Sequence, residues 1–170
     1  VQLALDTVRL FTEEPLMIDF GHAGALKAVL ANQSASFQAD ALGALARKDL
    51  DALAGLEKTV PEIAVLQNAY GDLYTVLDAL KGHETLDQAC IDISQVRRGL
   101  SAEQISWYCH LGETHGSNYH TGLVFGIYSL KRDQLLIRGG RYDHVGESFG
   151  RARAATGFSA DLKTLVRLAN

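Results

Sequence analysis

The chain has 170 residues, 47% of them hydrophobic and 21% charged, which is the composition of one ordinary soluble domain able to bury a core. No apolar run is long enough to span a bilayer. The two cysteines, Cys90 and Cys109, lie outside any CxxC pair and make no disulfide framework. The net charge of −4 is uneven, because residues 131–170 hold half of the 16 Lys and Arg but only 4 of the 20 Asp and Glu. An anionic ligand is therefore to be sought in the C-terminal quarter, with a solvated surface of mixed charge as the plainer reading.

No basic-then-apolar leader opens the chain, so a reducing cytoplasm is the expected location. Val1 stands where an initiator methionine would, so the chain reads as a piece of something longer. Residues 3–11 read as the end of a helix, broken at Glu13-Glu14-Pro15. Leu16-Met17-Ile18-Asp19-Phe20 predicts a short strand ending at Gly21. Residues 22–100 then keep a helical period. Leu26, Val29 and Leu30 follow His22, while Phe37, Ala41, Ala44 and Leu45 form a second stripe and Leu50 and Leu53 open a third. Thr59 and Thr85, each with Glu or Gln three residues on, predict capped helix starts. Leu73, Val76, Leu77 and Leu80 form another stripe between Gly71 and Gly82, and Leu86, Ala89, Ile93, Val96 and Leu100 form the last.

Near residue 104 the period changes to two. Ile105, Trp107, Cys109 and Leu111 alternate with polar residues. Tyr119–Tyr128, Leu135–Ile137 and Ala154–Ser159 predict three more strands, and Asp161–Leu168 a closing helix. Helices followed by a strand meander predict an α+β fold, an antiparallel sheet over 104–170 with 22–100 as a helical insertion beside it.

Three stretches are more specific. They are His115-Gly116-Ser117-Asn118-Tyr119-His120-Thr121-Gly122-Leu123-Val124-Phe125, then Gly139-Gly140-Arg141-Tyr142-Asp143, then Ala155-Thr156-Gly157-Phe158 leading into a helix. On residue type alone, the paired glycines suit a turn with positive φ and close approach to a ligand. Arg141 suits a carboxylate, either of a ligand or of Asp143 as a structural staple. Tyr119 and Tyr142 suit a small ring with polar edges, with plain cross-strand packing as the alternative for Tyr119. Glu113 is placed to accept from an ammonium group.

In order and spacing these stretches resemble histidyl-tRNA synthetases and their relatives, the ATP phosphoribosyltransferase regulatory subunits. The resemblance extends over 1–170 and is strongest over about 105–170. It implies part of a class II aminoacyl-tRNA synthetase-like core, and a histidine pocket lined by Glu113, Tyr119, His120, Gly139, Gly140, Arg141 and Tyr142. The variant Tyr-His-Thr-Gly-Leu-Val-Phe is closer to the regulatory subunits than to the synthetases.

The departures from the synthetase pattern bear on function. Where synthetases carry Arg-Gly-Leu-Asp-Tyr-Tyr, His115 replaces the arginine and His120 the second tyrosine. Where their last helix carries Gly-Leu-Glu-Arg-Leu, this chain reads Asp161-Leu162-Lys163-Thr164-Leu165, with Thr164 in place of the ATP-binding arginine. Fixed cations stabilise the charge that gathers on phosphate during carboxylate activation, and each such group is typically worth ~10²–10³ in rate. The expectation is a chain without this ATP chemistry and without cofactor. It would be a non-catalytic regulatory subunit in a hetero-oligomer with the short-form catalytic subunit of ATP phosphoribosyltransferase, with free histidine as effector. A fragment of a histidyl-tRNA synthetase, and an interaction domain with an empty pocket, are the alternatives.

Other signals are weaker. His110, His115, His120, His144 and Cys109 lack the spacing of a metal site. Gly140–Gly146 is no P-loop, and Ser101, Ser148 and Ser159 lack a nucleophile elbow. The basic residues Lys131, Arg132, Arg138, Arg141, Arg151 and Arg153 lack interleaved aromatics, so no nucleic acid and no membrane partner is expected.

Overall fold

Leu16-Met17-Ile18-Asp19-Phe20 forms the middle of the protein. In the computed structural model, which describes residues 1–101, 103–112, 119–146, 150–151 and 153–169, this strand runs on through Gly21 to His22 as β1 (Leu16–His22). It pairs in parallel with β3 (Ile105–His110) on one side and antiparallel with β4 (Leu123–Ser129) on the other. Parallel neighbours cannot be joined by a hairpin and need a long crossover. The helical segment between them supplies it: α2 (Ala23–Val29), α3 (Ala35–Arg47), α4 (Leu50–Glu57), α5 (Glu62–Asn68), α6 (Leu73–Ala79) and α7 (Asp87–Arg98).

The six described strands lie in the order β2-β3-β1-β4-β5-β6. β2 (Tyr70–Asp72) pairs antiparallel with β3, β5 (Gln134–Arg141) with β4, and β6 (Thr156–Ala160) with β5. The sheet is thus antiparallel apart from the β1–β3 pair, and it recruits β1 and β2 from outside the expected 104–170 run. β2 interrupts the helical segment and was not legible: three residues, Tyr-Gly-Asp, are too short to show a period.

Alternation divides the sheet into two faces. Leu16, Ile18 and Phe20 point to the face covered by helices, where α7 packs on β1 and β4, α2 on β4, and α1 (Gln2–Arg9) on β5. Leu5, Ile63, Leu66, Leu86, Ile93 and Ile127 complete this core, each 2% exposed or less. Burying such a side chain contributes roughly 1.5–3 kcal/mol. Phe20 stacks parallel on Trp107 at 6.2 Å, and the Arg97 guanidinium of α7 lies 3.9 Å from the same indole. The second face carries Asp19, Tyr108, Gly126, Tyr128 and Arg138.

The expected helix caps shift. Thr59 and Thr85 do not cap: α5 begins behind Pro61, and α7 grows out of a 3-10 turn, Glu84–Leu86, with no side-chain cap at either start. Side-chain caps come from Ser34, Asp49, Asp72 and Asp161, which accept from the N–H groups of Phe37, Ala52, Thr75, and Lys163 with Thr164. The closing helix is α8 (Leu162–Leu168).

Candidate ligand pocket on the second face of the sheet

The segment Gly139-Gly140-Arg141, expected as a turn, is the last part of β5. Neither glycine is among those with positive φ. Their small size serves close approach instead. A Cβ on Gly140 would lie 2.6 Å from the His120 ring and 2.8 Å from the Leu123 carbonyl oxygen, and one on Gly157, its partner in β6, would collide with the Tyr142 hydroxyl. The side chains of His120 and Tyr142 thus pack directly on the two glycines. Tyr119 stands edge-on to His120 at 5.2 Å and tilted against Tyr142 at 5.1 Å, and it is 52% exposed.

Beside these rings is a small cleft, about 50 Å³, lined by Asp19, Gly21, His110, His120, Tyr128 and Arg138. It places carboxylate, imidazole, phenol and guanidinium groups around one opening. Glu113 and His115 lie outside the described residues, as do Gly116, Ser117 and Asn118.

Strand alternation separates the expected pocket residues. Arg138, Gly140 and Tyr142 face one way, Gly139 and Arg141 the other. A Cβ on Gly139 would meet Phe125 and Phe158 at 2.7 Å each. Arg141 lines two cavities against α7. One, of about 650 Å³, has Leu3, Val96, Leu100, Phe125 and Phe158 on its walls, and the other, of about 360 Å³, has His22, Asp92, Thr121 and Asp143. There the Arg141 Nε donates to both Asp143 carboxylate oxygens, at 3.0 and 2.8 Å. Burial works against the Asp143 carboxylate, but hydrogen bonds from Arg141 and the Ala155 N–H, the Arg141 charge and Thr121 outweigh it. Its carboxyl is held below the ordinary range. Of the two carboxylates considered for Arg141, that of Asp143 is in contact with it here.

The sequence reading missed His22, taken only as the start of a helical stripe. Its imidazole is 6% exposed and its Nε2 lies 3.1 Å from Asp92 Oδ2, while Gln88 donates to the other Asp92 oxygen at 2.7 Å. Seventy positions separate the two residues, and no local pattern joins them.

At the start of α8, Thr164 is 5% exposed. Its hydroxyl donates to Asp161 Oδ2 at 3.0 Å and accepts from Gln134 at 3.4 Å. This side chain is occupied in the cap and carries no charge. Among the described residues, no group of three His, Cys, Asp or Glu side chains is arranged to hold a metal ion, and no helix is long and apolar enough to cross a membrane.

A mixed sheet backed by helices, with the aromatic and glycine motifs gathered at one end of β4, β5 and β6, is a class II synthetase-like core. A family profile described as histidyl-tRNA synthetase matches residues 1–165, and the chain belongs to that family. A relative from Pseudomonas syringae, named ATP phosphoribosyltransferase regulatory subunit, is 36% identical over 99% of this chain. The chain spans about half the length of the curated relatives it matches, 46% in that case. A solved structure from Bacillus halodurans, described as an ATP phosphoribosyltransferase regulatory subunit/histidyl-tRNA synthetase, superposes with a TM-score of 0.76 at 21% identity, covering 99% of this chain and 48% of that one. Another, described as an ATP phosphoribosyl transferase (HisG:HisZ) complex from Thermotoga maritima, gives 0.67 at 18% identity, with coverages of 93% and 57%.

Proposed function

We propose that this chain is part of a non-catalytic regulatory subunit of ATP phosphoribosyltransferase, acting in the cytoplasm in the first step of histidine biosynthesis. It would hold and activate a short-form catalytic subunit in a hetero-oligomer, and take free histidine as effector on the second face of the sheet. The observation that carries this reading is the 36% identity, along nearly the whole chain, to a relative bearing that name. The Thermotoga structure, described as a complex, supports an assembly of this kind.

The site's chemistry agrees with binding in the absence of synthesis. Thr164, buried in its cap with Asp161, offers no cation to a triphosphate, and Asp161 adds a like charge beside it. The rings of Tyr119, His120 and Tyr142 keep faces and polar edges for an imidazole. Histidine would act by linkage, favouring one assembly state by its differential affinity.

The test uses the full-length protein. It is expected to restore activity to a short-form phosphoribosyltransferase, to give binding heat with histidine, and to give no histidine-dependent ATP–pyrophosphate exchange. Failure to activate across a wide range of subunit ratios overturns the reading, and exchange activity replaces it with a synthetase.

A further inference from the structure

We infer that Arg141 and Asp143 are positioning residues, which set the aromatic site from the opposite face of the sheet and do not touch its ligand. This rests on the reading of the second face as a small-molecule pocket. Arg141 points away from Tyr119, His120 and Tyr142, as alternation along β5 requires. Its Nε donates to both carboxylate oxygens of Asp143. The carboxylate also accepts from the Ala155 N–H at 3.2 Å, and the Asp143 N–H donates to Thr121 Oγ1 at 3.2 Å. The Thr121 N–H donates to the Arg141 carbonyl at 2.8 Å, and the Tyr142 N–H to the Ala155 carbonyl at 2.9 Å.

These bonds close a ring through Thr121, Arg141, Asp143 and Ala155. Each ring of the aromatic site hangs from a segment the staple ties down. Tyr119 and His120 directly precede Thr121, Tyr142 lies between Arg141 and Asp143, and Gly157, under the Tyr142 hydroxyl, follows Ala155 by two residues. Room for the staple is built in at Gly122, where a Cβ would sit 3.2 Å from Arg141 Cδ. The pair is half in water, with side chains 50% and 26% exposed. An ion pair so placed adds little to global stability. Its effect is local, on the orientation of rings whose own strands end beside it.

A ligand fork and a staple are told apart by a ligand without a carboxylate. Calorimetry on the full-length protein would compare histidine with histidinamide, for wild type, Arg141→Gln, Asp143→Asn and the double variant. The staple predicts that each single variant weakens both ligands by the same factor, about tenfold, with the double variant no worse than either single one. Loss confined to histidine in Arg141→Gln, with histidinamide unaffected, makes Arg141 a ligand contact and overturns the inference.

If wild type binds neither ligand, the pocket reading fails, and the staple is still tested by fluorine NMR of the same protein labelled at tyrosine. With resonances assigned through Tyr119→Phe and Tyr142→Phe, Arg141→Gln is expected to shift Tyr119 and Tyr142 and leave distant Tyr74 in place. Unmoved Tyr119 and Tyr142 resonances overturn it. Melting temperatures near wild type confirm that the variants fold.

Discussion

His22, at the end of β1, and Asp92, on α7, meet at 3.1 Å inside the molecule and tie the helical crossover to the central strand. The ring is buried, and its Nδ1 has no hydrogen-bond partner among the described residues. Asp92→Ala then removes the one partner the imidazole has there. Because Asp92 is itself one-third exposed, the expected loss is at the lower part of the range for an abandoned buried polar group, about 1–2 kcal/mol. Urea denaturation would measure it. Asp92→Asn, which keeps an acceptor, is expected to lose less, and equal losses would show that the bond itself contributes nothing.

Gly140 is a steric requirement. Its substitution by Ala places a methyl group against the Leu123 carbonyl oxygen, which cannot move without disturbing β4, and against the His120 ring. The expected cost is about 1–3 kcal/mol, with a changed near-ultraviolet circular dichroism from the aromatic cluster. Gly55, which has open space around its Cα and lies within α4, is the control: Gly55→Ala is expected to stabilise slightly through helix propensity.

The Asp143 carboxyl titrates below the 3.8 of a free aspartate. In the window between those two values the unfolded chain binds more protons than the folded one, so stability rises with pH there and is lost as pH falls through the folded value. Asp143→Asn is expected to flatten the stability–pH curve below about pH 4 relative to wild type, measured as the denaturation midpoint across an acid series. Parallel curves would remove Asp143 from the acid response.

Burial pushes the Cys109 thiol far up, with Asp19 and Cys90 adding to it, and burial followed by Asp87 raises Cys90. Since the thiolate is the reactive form, the folded protein at neutral pH is expected to resist iodoacetamide at both positions and to react at both once denatured, as read by mass spectrometry. Rapid labelling of native Cys109 would contradict the packing of β3.

The part of the fold that repeats along the chain was legible in the chain. Leu16, Ile18 and Phe20, the stripe Leu86-Ala89-Ile93, and the alternation around Cys109 each announce their element, because burial on one side imposes a period that neighbours in sequence share. Tyr119 and His120 lie in one short motif and Gly140 and Tyr142 in another, and the family resemblance, not a period, put the two motifs together. Arg141 was only half legible, since two readings fitted its residue type and neither fixed the contact its Nε makes with Asp143.

What the tertiary structure alone decided are the pairings between segments far apart. The parallel β1–β3 neighbours, the three-residue β2 and the His22–Asp92 contact depend on how the crossover folds back over the sheet. Local composition carries no signal for these, because the energy that selects them comes from core packing between distant residues and not from the conformational preference of any one stretch.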